Sequence, residues 1–109
     1  MTLLARLEAL PDRGAVVVDV ERDGGRLSLV LTRNGDQVSA FRNLCPHAGY
    51  PLQRADGRVV VQEGRFLVCT AHGASFTLIE GACVGGPCNG EGLTRVAVDV
   101  RDGDVVLVE

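Results

Sequence analysis

No stretch of this chain approaches the roughly 18 apolar residues in a row that a membrane-crossing helix requires, so none reads as a span. The opening residues do not read as a secretory signal either. A basic start is missing, Arg6 and Glu8 interrupt Leu3, Leu4, Leu7 and Leu10, and no small-residue cleavage site follows. Those leucines suit a short amphipathic turn of helix or an extended lead-in. A cytoplasmic location is the expectation, and that compartment keeps thiols reduced. Positive charge is not in excess: 11 Lys and Arg stand against 14 Asp and Glu, for a net charge of −3. This balance argues against nucleic acid or an anionic membrane as partner and suits a protein with a basic docking face. Arg42, Arg54, Arg58 and Arg65 read as scattered surface charges. Aromatic residues are scarce, with no Trp, one Tyr and three Phe. Phe41, Phe66 and Phe76 each fall in an apolar run and read as core. The usual enzyme constellations are missing as well. No Ser-His-Asp grouping forms without borrowing one of the two His discussed below, and no Gly-rich phosphate loop leads from a strand into a helix.

What is present is a turn-rich β pattern. With 109 residues, 46% hydrophobic, and 14 Gly, the chain is bounded to one domain, residues 1–109. Short aliphatic runs are cut by Gly and Asp, which predicts strands joined by tight turns at Val16–Val20, Leu27–Leu31, Val38–Phe41, Val59–Gln62, Phe66–Val68, Phe76–Ile79, Leu93–Val100 and Val105–Val108. Asp23-Gly24-Gly25, Asn34-Gly35, Asp56-Gly57, Glu63-Gly64, Glu80-Gly81 and Asp102-Gly103 are the turns between them. The last two strands are expected to close the sheet as a terminal hairpin.

Two short stretches organise this pattern: Cys45-Pro46-His47-Ala48-Gly49 and Cys69-Thr70-Ala71-His72-Gly73. The chain has only two His, and each stands at ligand spacing from a Cys. Thiolates select zinc, copper or iron–sulfur chemistry and imidazole suits zinc and iron, so Cys45, His47, Cys69 and His72 admit either zinc or a cluster. A structural zinc site usually takes its thiolates from one knuckle and its histidines from another. Here each knuckle is mixed, as when two loops each give one Cys and one His to an asymmetric two-iron centre.

At this point the sequence resembles the Rieske family, C-P-H-A-G its first cluster loop and C-x-x-H-G-A-x-F its second. The resemblance implies an all-β fold, a small antiparallel β-sandwich with a loop-rich cluster-binding subdomain at about residues 43–90, and one 2Fe-2S cluster. It implies that Cys45 and Cys69 hold the inner iron and His47 and His72 the outer, more exposed one. Gly85-Gly86-Pro87-Cys88-Asn89-Gly90 resembles the family's third, proline-containing loop, which covers one side of the cluster. Where the respiratory branch ties its two loops by a disulfide, this chain has Tyr50 and Ala71, so Cys83 and Cys88 do not map onto that bridge. Five positions apart around Gly-Gly-Pro, they leave a local bridge and a redox role open, and buried or half-buried free thiols are the favoured reading for a reducing compartment. Where that branch has a Ser and a Tyr donating to the cluster sulfurs, this chain has Ala74 and Phe76. Rieske centres span roughly −150 to +300 mV, and the loss of two donors places this one towards the low end.

The function implied is a low-potential, ferredoxin-type carrier of single electrons between a reductase and an oxygenase or other acceptor, with no catalytic residues of its own. Ala48, Gly49, Tyr50, Pro51, Ala71, Gly73 and Pro87 form a small or apolar rim through which a partner could approach the imidazoles. Two alternatives stand beside it: a domain docked on a larger reductase, as in the small subunits of nitrite reductases, and a zinc-bound structural or interaction module.

Overall fold

The computed structural model describes residues 2–22, 24–44, 51–52, 58–69, 73–86 and 92–108. Among them the chain is all-β, with a 3-10 turn at Leu7–Ala9 and no α-helix. No helix is long and apolar enough to cross a membrane. The strands form three antiparallel sheets. A central sheet has the order β2 (Gly14–Arg22), β3 (Gly25–Asn34), β4 (Gln37–Arg42), β9 (Arg95–Val96). A base sheet has the order β1 (Thr2–Arg6), β11 (Asp104–Leu107), β10 (Val98–Arg101). A third runs β5 (Val60–Gln62), β6 (Phe66–Val68), β7 (Ser75–Thr77), β8 (Cys83–Gly85) in chain order.

The central sheet is covered on both faces, and β3 states why. Leu29, Val30, Leu31 and Thr32 are buried in succession, which a strand allows only when neither face meets water. Side chains alternate, so register sorts them. Val30 lies opposite Phe41 and Val17, and these face a core shared with Leu52, Leu67, Cys69, Ala74 and Phe76. Leu31 lies opposite Ala40 and Val16, and with Leu29 these face Leu4, Leu10, Val105 and Leu107. Burying each large side chain contributes on the order of 1.5–3 kcal/mol, so the two cores carry most of the fold.

Thr32 and Ser39, also opposite each other, complete the face towards the third sheet. The Thr32 hydroxyl donates to Leu78 O at 2.5 Å and the Ser39 hydroxyl to Ile79 O at 2.6 Å. These bonds explain why β7 stops at Thr77 when Phe76–Ile79 is expected: the next two carbonyls are engaged by side chains of the central sheet. Gly81 then passes over Phe41 so closely that a Cβ there would lie 2.5 Å from Cε1 of the ring.

Other differences from expectation have local causes. The opening residues take the extended alternative in β1 and then a tight turn, with a bulge between Leu3 and Ala5 that lets Leu4 reach the core. Asn34 pairs with Gln37, so the turn is centred on Gly35 and Asp36, one residue later than expected. The Gly35 N–H donates to the Asp12 carboxylate at 2.8 Å, which fixes this placement. The run Leu93–Val100 is divided at Ala97: β9 pairs with β4, whereas β10 pairs with β11 in the base sheet. The terminal hairpin therefore closes on β1 and not on the central sheet. Phe66 is only half-buried, because in β6 it is the neighbouring Leu67 that faces the core; the Arg65 guanidinium lies 5.9 Å from the Phe66 ring centroid. Asp102-Gly103 holds positive φ at both positions, as a two-residue hairpin turn of this kind requires, and Glu63-Gly64 does the same within a three-residue turn between Gln62 and Phe66.

Candidate metal centre

Both motif loops leave the ends of strands. Arg42 ends β4, and Cys45 stands three positions on; Val68 ends β6, and Cys69 follows at once. The hairpin β5–β6 lies between the two loops, as expected. Cys45, His47 and His72 lie outside the described residues, as do Tyr50, Ala48, Gly49, Ala71, Pro87, Cys88 and Arg54. Of the four candidate ligands, Cys69 is described. It is fully buried and takes part in no disulfide. Such a thiol at a strand end is the donor chemistry that iron or zinc takes.

The backbone around Cys69 is closed on itself. Its N–H donates to Ala74 O at 2.8 Å, and its carbonyl accepts from Gly73 N at 2.7 Å. Residues 70–72 are thus spanned by two bonds that hold the loop ends together. Ala74 and Phe76, at the positions where the respiratory branch has hydroxyl donors, are both fully buried and apolar. Ser75 is half-buried, on the opposite side of β7 from Phe76.

The third loop meets this backbone directly. Gly86 has φ +80, and a Cβ on it would lie 2.6 Å from Gly73 O and 2.7 Å from Ala74 Cα. Only glycine fits there, both for its backbone conformation and for its approach to the second motif loop. Cys83 departs from expectation: it is disulfide-bonded, not a free thiol. It stands at the start of β8, and the partner cysteine lies outside the described residues.

Sequence reasoning passed over the residue that ties down the first loop. Asn43 is 4% exposed. Its N–H donates to Ser28 O at 3.0 Å and its side-chain amide to Ser28 Oγ at 3.1 Å, while its Oδ1 accepts from Leu52 N at 2.7 Å. A polar Asn two positions before a motif Cys, at the end of an apolar strand, was the available signal. Leu52 itself is buried in the core that holds Cys69. The far end of the first loop and the start of the second thus share one hydrophobic cluster. Of the expected rim, Pro51 and Gly73 are described, and both are exposed. Arg42, Arg58 and Arg65 are exposed as well.

Among solved structures, the chain is similar to the ferredoxin of carbazole 1,9a-dioxygenase from Nocardioides aromaticivorans IC177, at 25% identity over 97% of this chain and 94% of that one, with a TM-score of 0.71. It is similar also to the Sphingomonas yanoikuyae B1 ferredoxin, at 29% identity over 98% and 96% of the two chains, with a TM-score of 0.73. The ferredoxin fold recurs, at 24% identity and a TM-score of 0.72 over 94% and 87%, in a complex of reduced oxygenase and oxidised ferredoxin in carbazole 1,9a-dioxygenase. No curated protein matches the sequence. The profile of the Rieske 2Fe-2S domain matches residues 2–106, nearly the whole chain, and the protein belongs to the Rieske family.

Proposed function

We propose that this protein is a one-electron carrier of the low-potential Rieske ferredoxin type, with a 2Fe-2S cluster held by Cys45, His47, Cys69 and His72. When bound, the cluster supplies a site that takes up and releases a single electron. The observation that carries the reading is Cys69: a buried thiol in no disulfide, at the head of a loop closed by its own backbone and packed with Leu52 in one core. The four ligands would come from two loops, and this core holds Leu52 after the first and Cys69 at the head of the second. Cys45 and Cys69 would take the inner iron, and His47 and His72 the outer.

The low potential is supported by Ala74 and Phe76, which are buried beside the second loop and offer no side-chain donor to a cluster sulfur. Partner choice follows from the relatives: the ferredoxin of a dioxygenase is among the proteins this chain resembles, so a reductase donor and an oxygenase or similar acceptor are proposed. Leu44 and Val84 are exposed apolar residues, 47% and 55% accessible, and each adjoins one of the loops in sequence. They suit a small, transient redox contact. A cytoplasmic location belongs to the same proposal. Cys88 is the proposed partner of Cys83, through the Gly-Gly-Pro turn between them.

The test is the electron paramagnetic resonance spectrum of dithionite-reduced protein purified without oxygen, with iron and sulfide counted. A Rieske-type signal with two irons per chain is expected. A colourless, zinc-bound protein would remove electron transfer and leave an interaction module.

A further inference from the structure

The geometry points to Asn43 as a positioning residue that sets the first ligand loop from both ends; this deepens the proposed function and rests on Cys45 and His47 being ligands. The residue stands two positions before Cys45, and its side chain reaches across the base of the loop to Leu52 N at 2.7 Å. Anchorage comes from β3. Ser28 receives both the backbone N–H and the side-chain amide of Asn43, at 3.0 and 3.1 Å. The amide is therefore held at its nitrogen and presents its oxygen to the loop's far end. Leu44 N donates to Arg42 O at 2.8 Å, so the chain turns tightly just before Cys45.

The need for this residue type follows from the atoms to be satisfied. Leu52 N is buried and requires an acceptor, and Ser28 Oγ sits within reach of a donor. An Asn side chain has both groups on one rigid plane. An Asp at 43 would still accept from Leu52 N and could accept the Ser28 hydroxyl proton in place of donating to it. An Ala would leave Leu52 N without its acceptor in the core and release the loop's two ends from each other. The second loop is closed by backbone bonds, Cys69 N to Ala74 O and Gly73 N to Cys69 O. A side chain performs the corresponding task for the first loop.

The experiment compares wild type, Asn43→Ala, Asn43→Asp and Ser28→Ala as purified holoproteins. Iron and sulfide content, the line shape of the reduced signal, the pH dependence of the midpoint potential and the rate of iron release to a chelator are the readouts. Asn43→Ala is expected to keep the β circular dichroism spectrum while releasing iron on the order of tenfold faster, the size of effect that one unsatisfied buried donor gives. Its signal should broaden as the loop samples more than one geometry. Asn43→Asp should restore slow release, and Ser28→Ala should fall between wild type and Asn43→Ala. Wild-type line shape, potential profile and iron release in Asn43→Ala would overturn the inference. If that variant does not fold, Ser28→Ala decides alone: faster release with a broadened signal supports the role, and wild-type behaviour overturns it. A wild-type protein without a two-iron signal would instead sink the reading of the ligands.

Discussion

On one face of the central sheet, Leu29, Leu31 and Ala40 meet Leu4, Leu10, Val105 and Leu107 in an aliphatic core. On the other, Val30 and Phe41 meet Leu52, Leu67, Cys69 and Phe76, and hydroxyls of Thr32 and Ser39 are tied to the carbonyls of Leu78 and Ile79. Glycines 81 and 86 then bring backbone within contact distance of a ring and of another loop. The first face requires only side chains of suitable volume and pattern, and cores tolerate many such choices. The second requires particular polar atoms and particular glycines. A base built from pattern thus carries a motif-loop side built from individual contacts, and the two should respond differently to substitution.

The largest difference is expected at the proposed ligands. Cys69→Ser, Cys45→Ser or His72→Ala should each abolish cluster retention, read as iron per chain, while the base sheet keeps its far-UV signature. Cys83→Ser, which breaks the disulfide of β8, should retain two irons. Loss of the cluster in Cys83→Ser alone would show the ligand assignment to be wrong.

Next come paired truncations across the central sheet. Leu31→Ala and Phe41→Ala both empty a fully buried site, at a cost of about 2–5 and 3–5 kcal/mol in urea unfolding. The comparison lies in a second readout, the midpoint potential. Among the described residues Leu31 packs in the base core and not in the core of Cys69, so its loss should leave the potential in place. Phe41 packs in the core of Cys69 and underlies Gly81, so its loss should move the potential or hasten iron release. Equal effects of the two on the potential would erase the distinction between the faces.

These same contrasts explain what could be read from the sequence. The alternation in β2 and β4, the Gly-containing turns and the two mixed Cys-His motifs were legible because each is a local pattern. The division at Ala97 was not, since β9 and β10 form one apolar run and only their partners, β4 and β11, tell them apart. The short β8 was missed because its pairing with β7 depends on the chain reversing over Phe41. Asn43 was passed over because its hydrogen bonds join residues 15 and 9 positions away. For the ligand loops, the sequence pattern names four residues, and the described structure speaks to Cys69 among them.

A smaller effect should come from Gly86→Ala. The added methyl would meet Gly73 O and Ala74 Cα at a positive φ, which costs about 1–3 kcal/mol unless the loops part. Parting them would open the second ligand loop to water. Iron release should therefore rise more than thermal stability falls, the reverse of Leu31→Ala, and a variant with lowered melting temperature but unchanged iron release would contradict the third loop's covering role.

The smallest effect concerns acid. The Gly35 N–H bonded to Asp12 holds that carboxyl below its ordinary value of 3.8, helped by Arg33 and Arg13, and the Arg101 guanidinium does the same for Asp99 on β10. A carboxyl with a lowered folded pKa adds stability above its unfolded pKa, and that contribution is lost as pH falls through the folded value. Both groups are exposed, so the gain is small and weakened by salt. Asp12→Asn and Asp99→Asn should melt slightly below wild type at pH 6 and draw level with it as the pH drops below about 3.8. The gap should also narrow in high salt. A gap that stays constant from pH 6 to 3 would mean that these side chains act through shape and hydrogen bonding, as Asn43 does, and not through charge.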